Sequence, residues 1–253
     1  MKAVFIIPAY NEETTIASVI QGIKQAHPQS MVLVINDASP DQTAMVARNA
    51  GAFVLTIPFN IGIGGVVGLG LKLAVIEDFD YVIRLDGDGQ HPPEEIPKVL
   101  DPIVSGEVEV AFGSRFILGA YPPKINLTRR LGIKMFSWLA STLTREKITD
   151  PTSGFMAMNK EANAFLASNL GQDYPEVEAR ILLARAGFRT REYPVNMRIR
   201  QGGTSSINTW ESFYYMLKVT LSCFVAQTRK LQPPFDRNQF LNITDVNKKT
   251  GDS

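Results

Sequence analysis

Cysteine is nearly absent from this chain: Cys223 is the only one. An intrachain disulfide is therefore excluded, which fits a reducing cytoplasm better than an oxidising compartment. Histidine is scarce as well. His27 and His91 stand far apart with no cysteine beside them, so the ligand spacing of a zinc site is missing. Lone serines and one thiol give no nucleophile dyad. Long apolar runs are missing: none reaches the ~18 residues of a membrane span. The N-terminus passes straight into the strand-like run AVFIIPAYN, without the basic and then apolar pattern of an export leader. Net charge is small, +1 over 253 residues, so the chain as a whole is not a polyelectrolyte. There is no internal repeat and no low-complexity stretch.

What remains is an ordinary globular mixture, 45% hydrophobic and 20% charged, able to fill a core. The charge is unevenly placed. Residues 76–109 carry ten acids and two bases, whereas residues 113–147 carry seven bases and one acid. A local positive field of that kind suits phosphates or an anionic membrane surface.

Apolar runs alternate with helical patterns. Strands are predicted at 3–8, 31–36, 53–57 and 81–85. Helices are predicted between them at 12–26, from a Ser39-Pro40 start to Ala50 with Gly51 as the stop, and at 64–77. Ile16, Val19, Ile20 and Ile23 share one face of the first helix. This β–α alternation predicts an α/β fold with a mainly parallel sheet flanked by helices. Further on, a proline-interrupted helix is expected at 93–105, a strand at 108–114, helices at 128–144 and 175–186, an extended run at 189–200 and a helix at 207–230. Three parts follow: a main domain over 1–206, an amphipathic helix over 207–230, and a polar, loosely attached tail over 231–253.

In an open parallel sheet, ligands bind beyond the carboxyl ends of the strands. Three polar clusters fall there: Pro8-Ala9-Tyr10-Asn11-Glu12, Asn36-Asp37-Ala38-Ser39 and Asp86-Gly87-Asp88-Gly89-Gln90. Two carboxylates on a tight glycine turn repel each other unless a hard divalent cation lies between them, and such a cation keeps positions open for phosphate oxygens. Gln90 adds a neutral oxygen. An isolated Asp-Gly-Asp reads first as a solvated turn; its convergence with the other two clusters reverses that and favours the cation. His91 fits either a place behind the metal or the surface of the turn. The glycine-rich run at 60–70 lacks the Gly-Lys-Ser/Thr of a P-loop, and Val67 spoils a dinucleotide fingerprint. Gly68 and Gly70 read as close helix–sheet packing, while Gly62 and Gly64 would admit a nucleotide backbone.

Arg115, after the strand at 108–114, points to the same edge. Arg129, Arg130 and Lys134 share a helix with Leu131, Met135, Phe136, Trp138 and Leu139, a pattern that suits a membrane interface or an ordinary core-facing helix. The apolar helix around Phe213–Phe224 suits a bilayer, a membrane partner or a subunit contact in a homo-oligomer. The arginines at 180, 185, 189, 191, 198 and 200 have no aromatic stacking platform beside them, so nucleic acid is not the expected partner.

With PAYNE, INDAS-x-D-x-T, DGDGQHPPE, GSR, DPTSGF and RQGGTSS in this order, the chain resembles family 2 glycosyltransferases of the GT-A fold, and among them the dolichyl- or polyprenyl-phosphate hexose synthases. The resemblance runs from about Val4 to about Lys218. It implies that Pro8, Ala9, Tyr10 and Glu12 line a nucleotide pocket and that Asp37 contacts the base or ribose. Asp86, Asp88 and Gln90 would hold Mg²⁺ or Mn²⁺ against a sugar-nucleotide diphosphate. Arg115 would meet a phosphate, Asp150 would sit near the reacting centre, and Arg129 and Arg200 would approach an acceptor phosphate. Asn36 and Thr204 depart from relatives that carry aspartate and lysine there, and the membrane helices of many synthases are missing.

The implied reaction is an inverting, metal-dependent transfer of a hexose from a GDP-mannose or UDP-glucose type of donor to a polyprenyl or dolichyl phosphate, at the cytoplasmic face of a membrane. An acceptor phosphate is already anionic and needs no strong base. A saccharide hydroxyl would need one, with Asp150, Glu176 or Glu178 as candidates. Extension of a cell-surface or lipid-linked saccharide, and a non-catalytic sugar-nucleotide-binding subunit of a membrane complex, are the alternatives.

Overall fold

A computed structural model describes residues 2–117, 127–171, 174–198 and 209–238, with the side chains of 127–129 and 209–217 excepted. Its centre is a seven-stranded sheet in the order β3-β2-β1-β4-β6-β5-β7. The strands are β1 (Ala3–Ala9), β2 (Met31–Asn36), β3 (Phe53–Thr56), β4 (Tyr81–Arg84), β5 (Val110–Ser114), β6 (Met156–Asn159) and β7 (Thr190–Pro194). The helices are α1 (Ile16–Ala26), α2 (Thr43–Asn49), α3 (Gly62–Ile76), α4 (Ile96–Val104), α5 (Leu127–Thr144), α6 (Lys160–Asn169), α7 (Pro175–Ala186) and α8 (Thr209–Thr228).

The first four strands run parallel, as the β–α alternation predicts. All of β1 is buried, because helices cover both faces of the sheet. Phe5 and Ile7 point into a core shared with Ile16, Val19, Ile20 and Ile23 of α1 and with Ile96, Val99 and Leu100 of α4. Val4 and Ile6 point the other way, into a core with α3, α5, α6, α7 and α8. Each large apolar side chain so buried contributes about 1.5–3 kcal/mol.

The structure adds a strand that the alternation does not reveal. β6 is four residues long and antiparallel to both β4 and β5, with Met156 opposite Arg84 and Phe112. Because β6 enters the sheet at the carboxyl ends of its neighbours, it delivers the preceding Asp150-Pro-Thr-Ser-Gly-Phe segment to the ligand edge. β7 is parallel to β5 and closes the sheet.

Helix ends differ from expectation where turns intervene. α1 begins at Ile16, since Glu12–Thr15 form a turn in which Glu12 O accepts from Thr15 and Ile16 N–H. α2 begins at Thr43 instead of after Ser39, with Asp41 Oδ1 accepting from Thr43 N–H at 3.0 Å. The 93–105 segment splits into a 3₁₀ turn at Pro93–Glu95 and α4. α7 is capped by Gly187, whose left-handed backbone (φ 78°) favours a residue without Cβ. Gly70 packs against the sheet as expected, with no room for a Cβ beside Ile6 and Ile35, but Gly68 faces open space. The start of the tail is fastened: Phe235 N–H donates to Ala164 O, and Asn169 exchanges hydrogen bonds with Gln232. The rest of the tail, 239–253, lies outside the described residues. Val219, Cys223 and Ala226 place α8 in the main core.

Candidate active site

The polar clusters after β1, β2 and β4 meet at one cavity of about 380 Å³. It is lined by Pro8, Ala9, Tyr10, Glu12, Asp37, Ile63, Val66, Arg84, Asp86, Gly87, Asp88 and Glu176. Two turns at its rim are left-handed at residues with a Cβ, Asn11 (φ 57°) and Ala38 (φ 55°). The Pro8–Glu12 turn is bolted to the loop after β2. Asn11 N–H donates to Ser39 Oγ at 3.1 Å and Glu12 N–H to Thr43 Oγ1 at 2.8 Å. Thr15 Oγ1 lies 2.9 Å from Glu12 Oε2 and donates to Gly87 O at 2.8 Å, so the turn after β1 also supports the Asp86–Asp88 turn. Ser39 and Thr43 of INDAS-x-D-x-T thus brace two cavity walls, and Asp41 Oδ2 adds to them by accepting from Glu13 N–H at 3.3 Å.

Asp37 lines the cavity but spends both oxygens on the start of α3. Oδ1 accepts from Ile61 N–H at 2.8 Å and Oδ2 from Gly62 N–H at 3.0 Å. It caps the start of α3 together with Asn60, whose Oδ1 also accepts from Gly62 N–H at 3.1 Å.

Asp86 and Asp88 leave β4 into the cavity. Asp88 is buried, with Oδ1 accepting from Gln90 N–H at 3.0 Å. The Asp86 side chain is 37% exposed. Gly89 adopts φ 77°, which lets the chain turn back after Asp88. His91 is not on the surface of the turn. It is buried, stacked on Phe155, and its Nδ1 accepts from Asp86 N–H at 3.0 Å. Burial holds its imidazole below the usual histidine range, against the raising pull of Asp86 and Asp88. Gln90 is not among the lining residues; its carbonyl accepts from Arg198 N–H.

No group of three or more His, Cys, Asp or Glu side chains with metal-holding geometry occurs among the described residues. Two cavity-facing carboxylates nevertheless fit Mg²⁺ or Mn²⁺. Such ions are commonly held by one or two carboxylates and completed by substrate phosphates and water.

Arg115 and Asp150 lie beside this cavity as a buried pair. Arg115 Nε donates to Asp150 Oδ2 at 2.6 Å and Nη2 to Oδ1 at 2.7 Å. Burial alone would lower the guanidinium, but its bonds to Asp150 and the charges of Asp150, Asp86 and Asp88 raise it. Asp150 has no exposed surface. Its loop is fastened from behind: Arg180 Nη2 donates to Asp150 O at 2.9 Å, and Glu192 accepts from Thr149 and Asp150 N–H. Arg180 itself lies over the Phe112 ring at 3.9 Å. Glu178 faces away from the cavity, accepting from Gly171 N–H and pairing with Arg229 at 3.0 Å. Arg200 lies outside the described residues, and of Arg129 only the backbone, in α5, is described.

The model of glycosyl transferase family 2 matches residues 4–166, more than half of the chain. The chain belongs to glycosyl transferase family 2. It is 29% identical over 223 residues to an undecaprenyl-phosphate mannosyltransferase of Micrococcus luteus, covering 82% of this chain and 88% of that protein. It is 32% identical over 204 residues to a dolichyl-phosphate hexose transferase of Haloferax volcanii, covering 79% and 84%. The fold matches glucosyl-3-phosphoglycerate synthase from Mycobacterium tuberculosis in complex with Mn²⁺, UDP-glucose and phosphoglyceric acid. That match has a TM-score of 0.67 at 19% identity and covers 92% of this chain and 87% of that one. The chain is a glycosyltransferase with the GT-A architecture, close to the polyprenyl-phosphate sugar synthases.

In this family member two cavity residues stand out that the motifs did not mark. Arg84, the last residue of β4, is 1% exposed, and its Nη2 donates to Glu176 Oε1 at 2.5 Å. Its signal was present: an arginine ending the apolar run Tyr81–Arg84 needs a buried counter-charge. From the sequence alone Glu176 is a candidate only as a base for a hydroxyl acceptor. It begins α7 and faces the cavity.

Proposed function

We propose that this glycosyltransferase moves a hexose from a nucleotide diphosphate sugar to a polyprenyl or dolichyl phosphate, with inversion at the anomeric carbon. The observation that carries this is the single cavity joining the Pro8–Glu12 turn, Asp37, Asp86 and Asp88, with the Arg115–Asp150 pair beside it. The Pro8–Glu12 turn and the Asp37-capped start of α3 form the nucleotide wall. Asp86 and Asp88 would hold Mg²⁺ or Mn²⁺, which when bound would supply charge neutralisation for a nucleotide diphosphate leaving group. Arg115, locked in its rotamer by Asp150, presents positive charge to a phosphate at the reacting centre. Asp150 serves by orienting Arg115 and not as a base, since an acceptor phosphate needs none. Arg129 and Arg200 complete the acceptor-phosphate site, and Gln90 supports the Asp88 turn.

The acceptor reading is supported by the names of the relatives and by a second apolar stripe on α5 and α8. Ile133, Phe136 and Ala140 of α5 face the core, while Leu131, Met135 and Trp138, at helical spacing, face outward beside the exposed Arg130 and Lys134. α8, in contact with α5, likewise buries Val219, Cys223 and Ala226 and exposes Leu221, Phe224 and Val225. No helix among the described residues is long and apolar enough to cross a membrane. These stripes therefore suit peripheral contact with a membrane surface carrying the lipid phosphate.

The test supplies radiolabelled GDP-mannose, UDP-glucose and UDP-N-acetylglucosamine in turn, with Mn²⁺, to polyprenyl phosphate and to an oligosaccharide. Label on the lipid phosphate from one donor is expected, and Asp86→Ala abolishes it. Label on the oligosaccharide alone overturns the acceptor; full activity of a folded Asp86→Ala overturns the metal.

A further inference from the structure

Arg84 occupies an unusual position. It is almost wholly buried, yet it forms part of the cavity floor. Its Nη2 is shared between two carboxylates: 2.5 Å from Glu176 Oε1 and 3.5 Å from Asp86 Oδ1. Nε and Nη1 have no hydrogen-bond partner among the described residues. A buried guanidinium normally spends its donors fully, and each unmet group costs stability. The pocket also leaves it little room to retreat. A Cβ on Gly154 would lie 3.0 Å from both Arg84 Nη2 and Asp86 Oδ1, so a larger residue there would crowd the pair.

We propose that Glu176 holds the Arg84 guanidinium away from Asp86, and thereby sets the affinity of the Asp86–Asp88 pair for a divalent cation. This rests on the metal reading above. An arginine cannot shed its proton, so its charge is permanent and only its position is adjustable. A guanidinium that sits on Asp86 competes with a cation for the same oxygen and repels the cation as well. The unequal distances place it on Glu176, which comes from α7, 92 residues further along the chain. Glu176 is thus a positioning residue: it acts on the metal through Arg84 and keeps Asp86 available.

The experiment titrates Mn²⁺ into the full chain and reads free Mn²⁺ by electron paramagnetic resonance, alone and with UDP or GDP. Thermal unfolding of each variant confirms its fold. Glu176→Gln keeps the shape but removes the counter-charge, so the guanidinium moves to Asp86 and Mn²⁺ affinity falls about tenfold or more. Arg84→Met combined with Glu176→Gln removes both charges and restores the affinity to the wild-type level or above. Asp86→Ala abolishes binding. Unchanged Mn²⁺ affinity in Glu176→Gln, with binding lost in Asp86→Ala, overturns this inference and leaves the metal reading intact. Unchanged binding in Asp86→Ala overturns the metal reading itself. Should Glu176→Gln fail to fold, the double variant decides alone: affinity tenfold below wild type means that Arg84 is no competitor.

Discussion

Arg115 meets Asp150 through two parallel hydrogen bonds and adds a third from its own backbone N–H, at 3.1 Å to Oδ2. The arginine follows β5 and the aspartate precedes β6, so the pair joins two antiparallel neighbours at the ligand edge. Such a fork fixes both distance and plane. Asp150→Asn is expected to lower stability by about 3–5 kcal/mol, because the buried guanidinium loses its counter-charge. Transfer should fall to the level of Arg115→Gln, and the double variant should be no slower than the slower single one. Urea midpoints and initial rates measure both. Lost transfer in Asp150→Asn with transfer retained in Arg115→Gln would mean that Asp150 acts on the substrate directly.

Two glycines two residues apart in α3 should respond with opposite signs. A Cβ at Gly70 would lie 2.6 Å from Ile6 Cγ2, so Gly70→Ala overpacks the helix–sheet contact and costs about 1–3 kcal/mol. At Gly68 nothing lies within 4 Å, so Gly68→Ala gains the helix propensity of alanine, roughly 0.8–1 kcal/mol. For a chain of this size each kcal/mol moves Tm by about 2–4 °C. Calorimetry should show Tm falling for the first variant and rising for the second. A fall for both would mean that the Gly68 face is covered in solution.

The parallel half of the sheet was legible because each of its strands is an apolar run beside a periodic helix. Ile16, Val19, Ile20 and Ile23 pack as their spacing requires. β6 was hidden because Met156–Asn159 is short and follows a turn motif that reads as loop. That the carboxylates after β4 face a cavity was legible because charge beyond a buried strand needs a reason. The uses of Asp37 and Asp150 were not, since their partners lie 24 and 35 residues away and no local pattern reports them. His91 was ambiguous for the same cause: its burial depends on Phe155, which only the fold brings near.

Cys223 gives a pH test of the core. Burial, helped by the charge of Glu178, pushes its thiol up to about 12. The neutral thiol is the only form the folded protein accommodates below that value, so the native chain should resist thiol reagents and react once unfolded. The unfolded thiol has its pKa near 9.0. Below that pH neither state is ionised and the contribution is present in full. As pH rises from there toward the folded value, the unfolded chain loses its proton first and stability declines, by at most about 1.4 kcal/mol per pH unit. Urea midpoints of wild type should therefore fall more steeply above about pH 9 than those of Cys223→Ala, which has no thiol to ionise. Parallel curves would mean that the thiol is not shielded.

The outward stripes of α5 and α8 give the last test. Trp138 is 68% exposed and Leu131 60%, so replacing both by serine removes apolar surface without opening a core. Membrane insertion of a tryptophan and a leucine is worth roughly 2–3 kcal/mol each. Partition onto vesicles containing anionic lipid should fall by about a hundredfold or more in the double variant. Raising salt should weaken the wild type further, through Arg130 and Lys134. Transfer to a short-chain, water-soluble polyprenyl phosphate should stay within about twofold of wild type, while transfer to the long-chain lipid in vesicles drops. Vesicle flotation with both acceptors measures this directly. Unchanged flotation of the folded double variant would remove α5 from the membrane and leave its apolar stripe to a protein partner.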